Sequence, residues 1–284
     1  MDYVLRVNNL SKTFKDFSLK NISFDVPAGS VVGMVGENGS GKSTCIRCIL
    51  GQDVYAHGSI ELFGKNARDN IESHSRIGTA SDICPFPDSF SARQVSSVLN
   101  DIYSDWDEQH FFELLKSFDL PPEKAIKKMS RGMKVKLCLA SALSHESDLL
   151  ILDEATAGLD PVVREEILDL LMSYMEKESR SIFMTSHITS DLERIADYIL
   201  YIQNGEILFM EEKSVLEFSG IAHVKADQIA YIDPSLVVRV RKQPLCTDLL
   251  IKDRREFARR YPDYVIEPAK IDDVILMYSK GVSL

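Results

Sequence analysis

A glycine-rich loop at residues 36–44 constrains the fold of this chain more than any other stretch. It has the sequence GENGSGKST and follows the apolar run 31–35. Glycines let backbone N–H groups approach phosphate oxygens, and the helix predicted to follow adds a positive dipole end. Lys42 can reach the outer phosphates, and the Ser43 hydroxyl is a hard oxygen ligand for Mg²⁺. A Gly-Ser turn without a ligand is the alternative. The strand pattern before the loop and the helix pattern after it favour a nucleoside triphosphate site instead.

Two carboxylates follow a second apolar run at 149–152. Four consecutive apolar residues are typical of a strand that is buried on both faces of a parallel sheet. Ligands bind at the carboxyl ends of such strands. Asp153 is therefore predicted to hold Mg²⁺, usually through water, and Glu154 to orient an attacking water. An acidic turn without a site is the alternative, and the phosphate loop upstream argues against it.

Other residues allow two interpretations each. His187 follows a predicted strand at 181–185, where it could contact the γ-phosphate or be structural. Phe14 could stack on a purine ring or be a core residue at a strand end. Ser130 precedes an apolar helix and is a good N-cap, and with Gly132 and the nearby cations it could also receive a phosphate.

The composition favours a globular protein and excludes several functions. Charged residues make up 27% of the 284 residues, hydrophobic ones 45%, and the formal net charge is −10. An acidic chain of this kind is not expected to bind nucleic acid. No apolar run approaches the roughly 18 residues of a membrane span, and the N-terminus lacks the pattern of a signal peptide. Five scattered cysteines fit reduced thiols in the cytoplasm. We interpret Cys45 and Cys48 as apolar residues of a helix rather than metal ligands.

The chain is predicted to contain two domains. Residues 1–211 form a nucleotide domain that ends after a type I′ hairpin at Asn204-Gly205, with a helical insert at about 84–144. The mixed strand and helix patterns of residues 212–284 predict a small α+β appendage. We find neither a metal-ligand cluster nor a second glycine loop in the sequence of this appendage.

With these stretches in this order, the sequence resembles the ATP-binding subunits of ABC transporters, over about residues 1–211. GENGSGKST resembles the family's Walker A, which implies ATP contacts from Gly36, Asn38, Gly39, Ser40, Gly41, Lys42, Ser43 and Thr44. LLILDE resembles Walker B with Glu154 as the catalytic glutamate. AGLD resembles the D-loop with Asp160, TSH the switch histidine His187, and Phe14 the aromatic A-loop residue.

Two motifs depart from the family pattern. The signature LSGGQ is degenerate here, with Met129 in place of leucine, Arg131 in place of the first glycine and Met133 in place of glutamine, while Ser130 and Gly132 are retained. These two residues would meet the γ-phosphate held by the partner subunit. Where the family has a glutamine after its IGY-like strand, this chain has Asp82, a further candidate ligand of Mg²⁺.

The resemblance implies an α/β fold of the P-loop ABC type, with a RecA-like core, an antiparallel β subdomain, a helical subdomain and the C-terminal appendage. It implies an ATPase with ATP and Mg²⁺ as cofactors that acts as a homodimer or as a heterodimer with a second ATP-binding subunit. The insert and the tail resemble the subfamily paired with ABC-2-type transmembrane subunits, which export antibiotics, peptides and other amphipathic compounds. Such a subunit would be cytoplasmic and peripheral on the inner face of the cell membrane. A soluble ABC-type ATPase of assembly or regulation and a non-hydrolysing ATP sensor are the alternatives.

Overall fold

The computed structural model describes residues 2–177 and 179–283. The strands of this part of the chain are β1 Tyr3–Thr13, β2 Ser18–Pro27, β3 Val31–Val35, β4 His57–Leu62, β5 Lys65–Asn66, β6 Ile77–Ser81, β7 Leu149–Asp153, β8 Ser181–Ser186, β9 Tyr198–Gln203, β10 Glu206–Glu212, β11 Gly220–Val224, β12 Val237–Lys242, β13 Thr247–Ile251 and β14 Ile266–Pro268. Its α-helices are α1 Lys42–Ile49, α2 Ile71–Ser75, α3 Ala92–Ile102, α4 Glu108–Ser117, α5 Arg131–Leu143, α6 Pro161–Tyr174, α7 Thr189–Ile195, α8 Lys213–Phe218, α9 Arg254–Arg260 and α10 Ile271–Lys280. No helix among these described residues combines the length and the apolar character needed to cross a bilayer.

A six-stranded sheet in the order β10-β9-β3-β8-β7-β6 lies at the centre. Its strands run parallel except β10, which pairs antiparallel with β9. The apolar run of β7 is buried, as predicted for a strand covered on both faces. Because β3, β8 and β7 are neighbours and parallel, their carboxyl ends lie side by side. The segments that follow these three strands therefore meet at one edge of the sheet.

The other layers pack on the two faces of this sheet. Helices α5, α6 and α7 contribute to the core on one face. On the other face, the antiparallel sheet β2-β1-β4-β5 encloses α1, whose Cys45 and Cys48 are buried in the core between the sheets. Burial raises the pKa of both thiols, so they remain protonated apolar groups. The interpretation of this pair as core residues is confirmed.

Helices α3, α4 and α5 form a layer with its own core. A capping box at Ser91 and Gln94 starts α3, and the Ser130 hydroxyl accepts a hydrogen bond from Met133 N–H at the start of α5. Trp106 is buried in this layer and donates its indole N–H to the Ser96 hydroxyl at 3.2 Å. Helix caps satisfy backbone N–H groups that have no partner within the helix, which fixes where each helix begins.

The chain after the hairpin builds a third sheet and then returns to the main core. Asn204 and Gly205 both have positive φ, as a type I′ turn requires. The third sheet is antiparallel in the order β12-β13-β11-β14 and has a separate apolar cluster. Helix α10 leaves it and buries Ile271, Val274 and Met277 in the same core as α5 and α6. The division of the chain between residues 211 and 212 stays our proposal, and α10 packs across it.

Candidate nucleotide site

The glycine-rich loop connects β3 to α1 and encloses a cavity of about 510 Å³. A Cβ on Gly36 would lie 2.4 Å from the Ile202 carbonyl oxygen, so only glycine fits there. Gly39 and Gly41 have φ of 82° and 114°, which side chains rarely allow. The cavity is lined by Asp16, Phe17, Glu37, Asn38, Gly39, Gly41, Lys42, Ser43, Thr44 and Glu154.

Three charged or titratable side chains from three segments converge beside this cavity. Lys42 is buried, and its Nζ donates to the Gly36 carbonyl at 2.6 Å. The same Nζ lies 3.1 Å from Glu154 Oε1, and Glu154 Oε2 lies 2.6 Å from His187 Nδ1. The carboxylate of Glu154 thus connects the loop after β3 with the segment after β8. The three segments meet because their strands are neighbours in the sheet.

The backbone around Glu154 is held in an uncommon conformation. Glu154 has a φ of 51°, in the left-handed region, and its N–H lies 3.1 Å from the Thr185 hydroxyl. That hydroxyl donates to Asp153 Oδ1 at 2.7 Å. A left-handed non-glycine residue is rare and costs about 1 kcal/mol or more, so the turn is maintained by these contacts. The turn directs the Glu154 carboxylate toward Lys42, and the hydrogen bond from Thr185 fixes the orientation of the Asp153 carboxylate.

The site has the donors that a polyphosphate requires. It combines a buried ammonium group, exposed loop positions rich in backbone N–H groups and the N-terminus of α1. Among the residues that the structure describes, the buried Ser40 hydroxyl has no hydrogen-bond partner, which leaves it available to a ligand. The arrangement can therefore bind a triphosphate and place a carboxylate beside its last phosphate.

Comparison with known proteins decides the family. The ABC transporter family profile matches residues 19–157. The bacitracin transport ATP-binding protein BcrA of Enterococcus faecalis is 32% identical over 221 residues, which cover 76% of this chain and 71% of BcrA. The lantibiotic transport ATP-binding protein SrtF of Streptococcus pyogenes is 32% identical over 213 residues, 74% of this chain and 91% of SrtF. The chain belongs to the ATP-binding subunits of ABC transporters.

A solved structure agrees with this fold. The ATP-binding cassette MJ0796, a dimer in a post-hydrolysis state bound to ADP and Pi, superposes with a TM-score of 0.66 at 22% identity. The match covers 73% of this chain and 98% of MJ0796. The predicted fold class is therefore confirmed. As an ABC subunit the chain binds and hydrolyses ATP, and it powers a separate membrane-spanning subunit.

Several residues predicted for the site of this ABC subunit lie away from the cavity. Ser130, Gly132 and Asp160 are not among the described residues that line it. Ser130 and Asp160 are exposed N-caps, and the Asp160 carboxylate accepts a hydrogen bond from Val163 N–H at 3.1 Å. Exposed residues at helix N-termini are free to meet a second molecule, so their predicted contact with a partner subunit's nucleotide stays a proposal.

The aromatic residue at the cavity is Phe17 rather than Phe14. Phe17 lines the cavity, while Phe14 is 40% exposed and its ring lies 6.4 Å from that of Phe17. Phe17 stands at the start of a strand pattern in the sequence, so the pattern alone does not distinguish it from a core residue. Its position three residues after Phe14, on the same turn before β2, was the available signal. Both phenyl rings are candidates for contact with the base, and the role of Phe14 stays a prediction.

Asp82 is paired with the other unusual residue of this ABC chain. Its carboxylate lies 3.0 Å from the guanidinium of Arg131. Asp82 N–H donates to the Asp153 carbonyl at 3.4 Å, which places the residue beside the Walker B strand. A Cβ on Gly158 would lie 2.5 Å from the same guanidinium. Arg131 therefore connects the start of α5 with the loops after β6 and β7.

Proposed function

We propose that the chain uses MgATP to drive an ABC-2-type membrane subunit that exports peptide antibiotics or other amphipathic compounds. BcrA and SrtF, which are named for bacitracin and lantibiotic transport, support this class of cargo. Such a subunit would work at the inner face of the cell membrane, attached through its membrane partner. The convergence of Lys42, Glu154 and His187 at the phosphate loop is the observation that carries the ATP-driven part of the proposal.

The roles of these residues follow from their charges. In the structure, the carboxylate of Glu154 lies 3.1 Å from the ammonium group of Lys42. We propose that the γ-phosphate replaces the carboxylate as the partner of Lys42, because a polyphosphate brings more negative charge to a buried ammonium group. Glu154 is then free to orient a water toward the phosphorus, and His187 remains beside it to contact the γ-phosphate.

Mg²⁺ would be held at the end of β7 and the start of α1. The Ser43 hydroxyl and the Asp153 carboxylate are the oxygen ligands that Mg²⁺ prefers, with water completing the coordination. Both residues fit this role, since Ser43 lines the cavity and Thr185 orients Asp153. The ion neutralises charge on the phosphates when bound. Asp82 is a further candidate ligand once it leaves Arg131.

The working unit is proposed to be a dimer, of two copies or with a second ATP-binding subunit. The dimeric state of MJ0796 supports this arrangement. Each nucleotide would lie between the phosphate loop of one subunit and Ser130, Gly132 and Asp160 of the other. A mixture of Ser130→Arg and Lys42→Ala chains tests this. In a homodimer, each mixed dimer retains one intact composite site, so activity should reappear on mixing. If subunits exchange between the dimers and the mixture is still as inactive as either variant alone, the composite site is contradicted.

Export is tested in cells that lack the gene for this chain. We expect them to become more sensitive to bacitracin and to lantibiotics, and the wild-type gene to restore resistance. The Lys42→Ala variant is the matched control, since it should be expressed and yet fail to restore resistance. Unchanged sensitivity to both peptide classes would contradict the proposed cargo. A chain that never co-purifies with a polytopic membrane protein would contradict the membrane partner and favour a soluble assembly factor.

A further inference from the structure

A polar row crosses three strands of the C-terminal sheet. His223 on β11 lies directly opposite Asp248 on β13, and Asp248 lies directly opposite Arg241 on β12. Cys246 lies just before β13, two residues before Asp248, and its Sγ is 3.7 Å from Asp248 Oδ1. Among the residues described by the structure, His223, Cys246 and Asp248 are the one group of three potential metal ligands whose ligand atoms all lie within 4.8 Å of one another. The expectation that the appendage contains no such cluster was wrong.

The two oxygens of Asp248 face different groups. Oδ1 lies 2.8 Å from His223 Nδ1 and 3.7 Å from Cys246 Sγ. Oδ2 accepts hydrogen bonds from Arg241, at 2.9 Å, and from Gln243. One oxygen is therefore turned toward an imidazole nitrogen and a sulfur, while donors outside the cluster fix the other. Metal-binding carboxylates are commonly held in this way by a second layer of hydrogen bonds.

The charge of the surroundings also suits a cation. Asp248 is buried, and its carboxylate is paired with the guanidinium of Arg241 at 2.9 Å. A cavity of about 260 Å³ adjoins His223 and Asp248, and its wall includes the acidic side chains Glu267 and Asp273. These two carboxylates offset the positive charge of Arg241, so the local charge does not oppose the binding of a cation.

We propose that His223, Cys246 and Asp248 bind a thiophilic divalent cation of the Zn²⁺ class, with water as the fourth ligand. A mixed nitrogen, sulfur and oxygen set is typical of zinc and unlike the all-oxygen sites of Mg²⁺ and Ca²⁺. Ligand atoms around a tetrahedral zinc ion lie roughly 3.3–3.7 Å apart, given bond lengths of about 2.0–2.3 Å. The observed spacing therefore requires only small movements of these side chains.

The position of this metal site connects it to the ATPase. The wall of the adjoining cavity includes Asp273 and Met277 of α10, and Met277 is also part of the main core. A bound ion would hold β11 and β13 in the register that forms this wall. Because a ligand that binds only the folded state stabilises it, metal should raise the unfolding temperature of the C-terminal part of the chain.

The test uses the full chain without nucleotide, titrated with Co²⁺ as the probe. We expect about one equivalent to bind and to give the charge-transfer absorption of a cobalt–thiolate bond. His223→Ala and Cys246→Ser should each bind Co²⁺ at least tenfold more weakly, and Cys246→Ser should also lose the absorption. Gln243→Ala, which removes only an outer hydrogen bond, should weaken binding about tenfold. Cys84→Ser is the matched control, since Cys84 is the other partly exposed thiol of the chain.

The possible results are distinct. Wild-type protein that binds no Co²⁺, or variants at 223 and 246 that bind like wild type, would overturn the proposal. Loss of the absorption in Cys84→Ser instead would also overturn it and assign the thiolate to Cys84. Circular dichroism and thermal unfolding show whether each variant is folded, including the third sheet that contains the substitutions. Zn²⁺ should displace Co²⁺ and abolish the absorption.

Discussion

Glu154 is the residue on which the chemistry depends most directly. We predict that Glu154→Gln lowers the ATP turnover rate by about 10²–10⁴-fold, since the amide cannot act as the base that orients water. ATP binding should persist, because Lys42 and the loop N–H groups are unchanged. Phosphate release and equilibrium nucleotide binding measure the two effects separately, with Glu113→Gln, an exposed acid of α4, as the control. Turnover near the wild-type rate would refute the assignment of Glu154.

We make opposite predictions for the Mg²⁺ dependence of variants at the two members of the Asp82–Arg131 pair. If Asp82 is a latent Mg²⁺ ligand that Arg131 holds back, Asp82→Asn should raise the Mg²⁺ concentration for half-maximal activity and slow hydrolysis a few-fold. Arg131→Gln should lower that concentration by freeing the carboxylate. The pair is partly exposed, so its contribution to stability should be only about 0.2–1 kcal/mol.

Magnesium-titrated ATPase assays check both variants. Lys134→Gln is the matched control, because Lys134 also lies in the first turns of α5 and pairs with a different acid, Asp88, at 3.5 Å. If the titration curves of Asp82→Asn and Arg131→Gln both overlay that of the wild type, Asp82 is not a Mg²⁺ ligand.

At the scale of the elements, the end of α5 contains a pH-sensitive contact. His145 follows this helix, is buried, and stacks on Tyr103 beyond the end of α3 at 4.2 Å between ring centroids. Burial lowers the pKa of His145 below its usual value. Because the unfolded chain then binds more protons than the folded one, stability should fall as the pH drops below the ordinary histidine pKa of about 6.5.

Denaturant unfolding at pH 7.5 and pH 5.5 measures this effect. We predict that His145→Gln loses less stability on acidification than the wild type, since no imidazole has to be charged in a buried place. His57→Gln changes an exposed histidine and should follow the wild-type pH dependence. Equal slopes for all three proteins would show that His145 does not control the pH dependence.

Some features of these elements could be predicted from local sequence patterns, and others could not. The phosphate loop, the buried strand β7 and the capping box of α3 follow from local rules, so their positions could be predicted. The contact between Glu154 and Lys42 could be anticipated only through strand order, which places β7 and β3 on either side of β8. The ion pair of Asp82 with Arg131 could not, because it joins a loop and a helix 49 residues apart.

At the scale of the whole molecule, the C-terminal part was the hardest to predict. The polar row at His223, Asp248 and Arg241 depends on the register of three strands, which alternation within one strand does not specify. The pattern of α10 showed an amphipathic helix but not which surface its apolar side covers. The structure places that side in the main core, so residues 212–284 contact the core of the proposed nucleotide domain through α10.

The return of α10 to the main core has a consequence for hydrogen exchange. Terminal helices usually open locally and lose their amide protons early. Here Ile271, Val274 and Met277 share a core with strands of the central sheet, so the amides of α10 should exchange only when that core opens. We predict protection close to that of β8 in wild-type protein and selective loss of it in Met277→Ala, with Met172→Ala, on the partly exposed side of α6, as the control. Rapid exchange of α10 in the wild type would show that the helix detaches. If the protection is found, α10 and the central sheet unfold as one cooperative unit, although the third sheet lies between them in sequence.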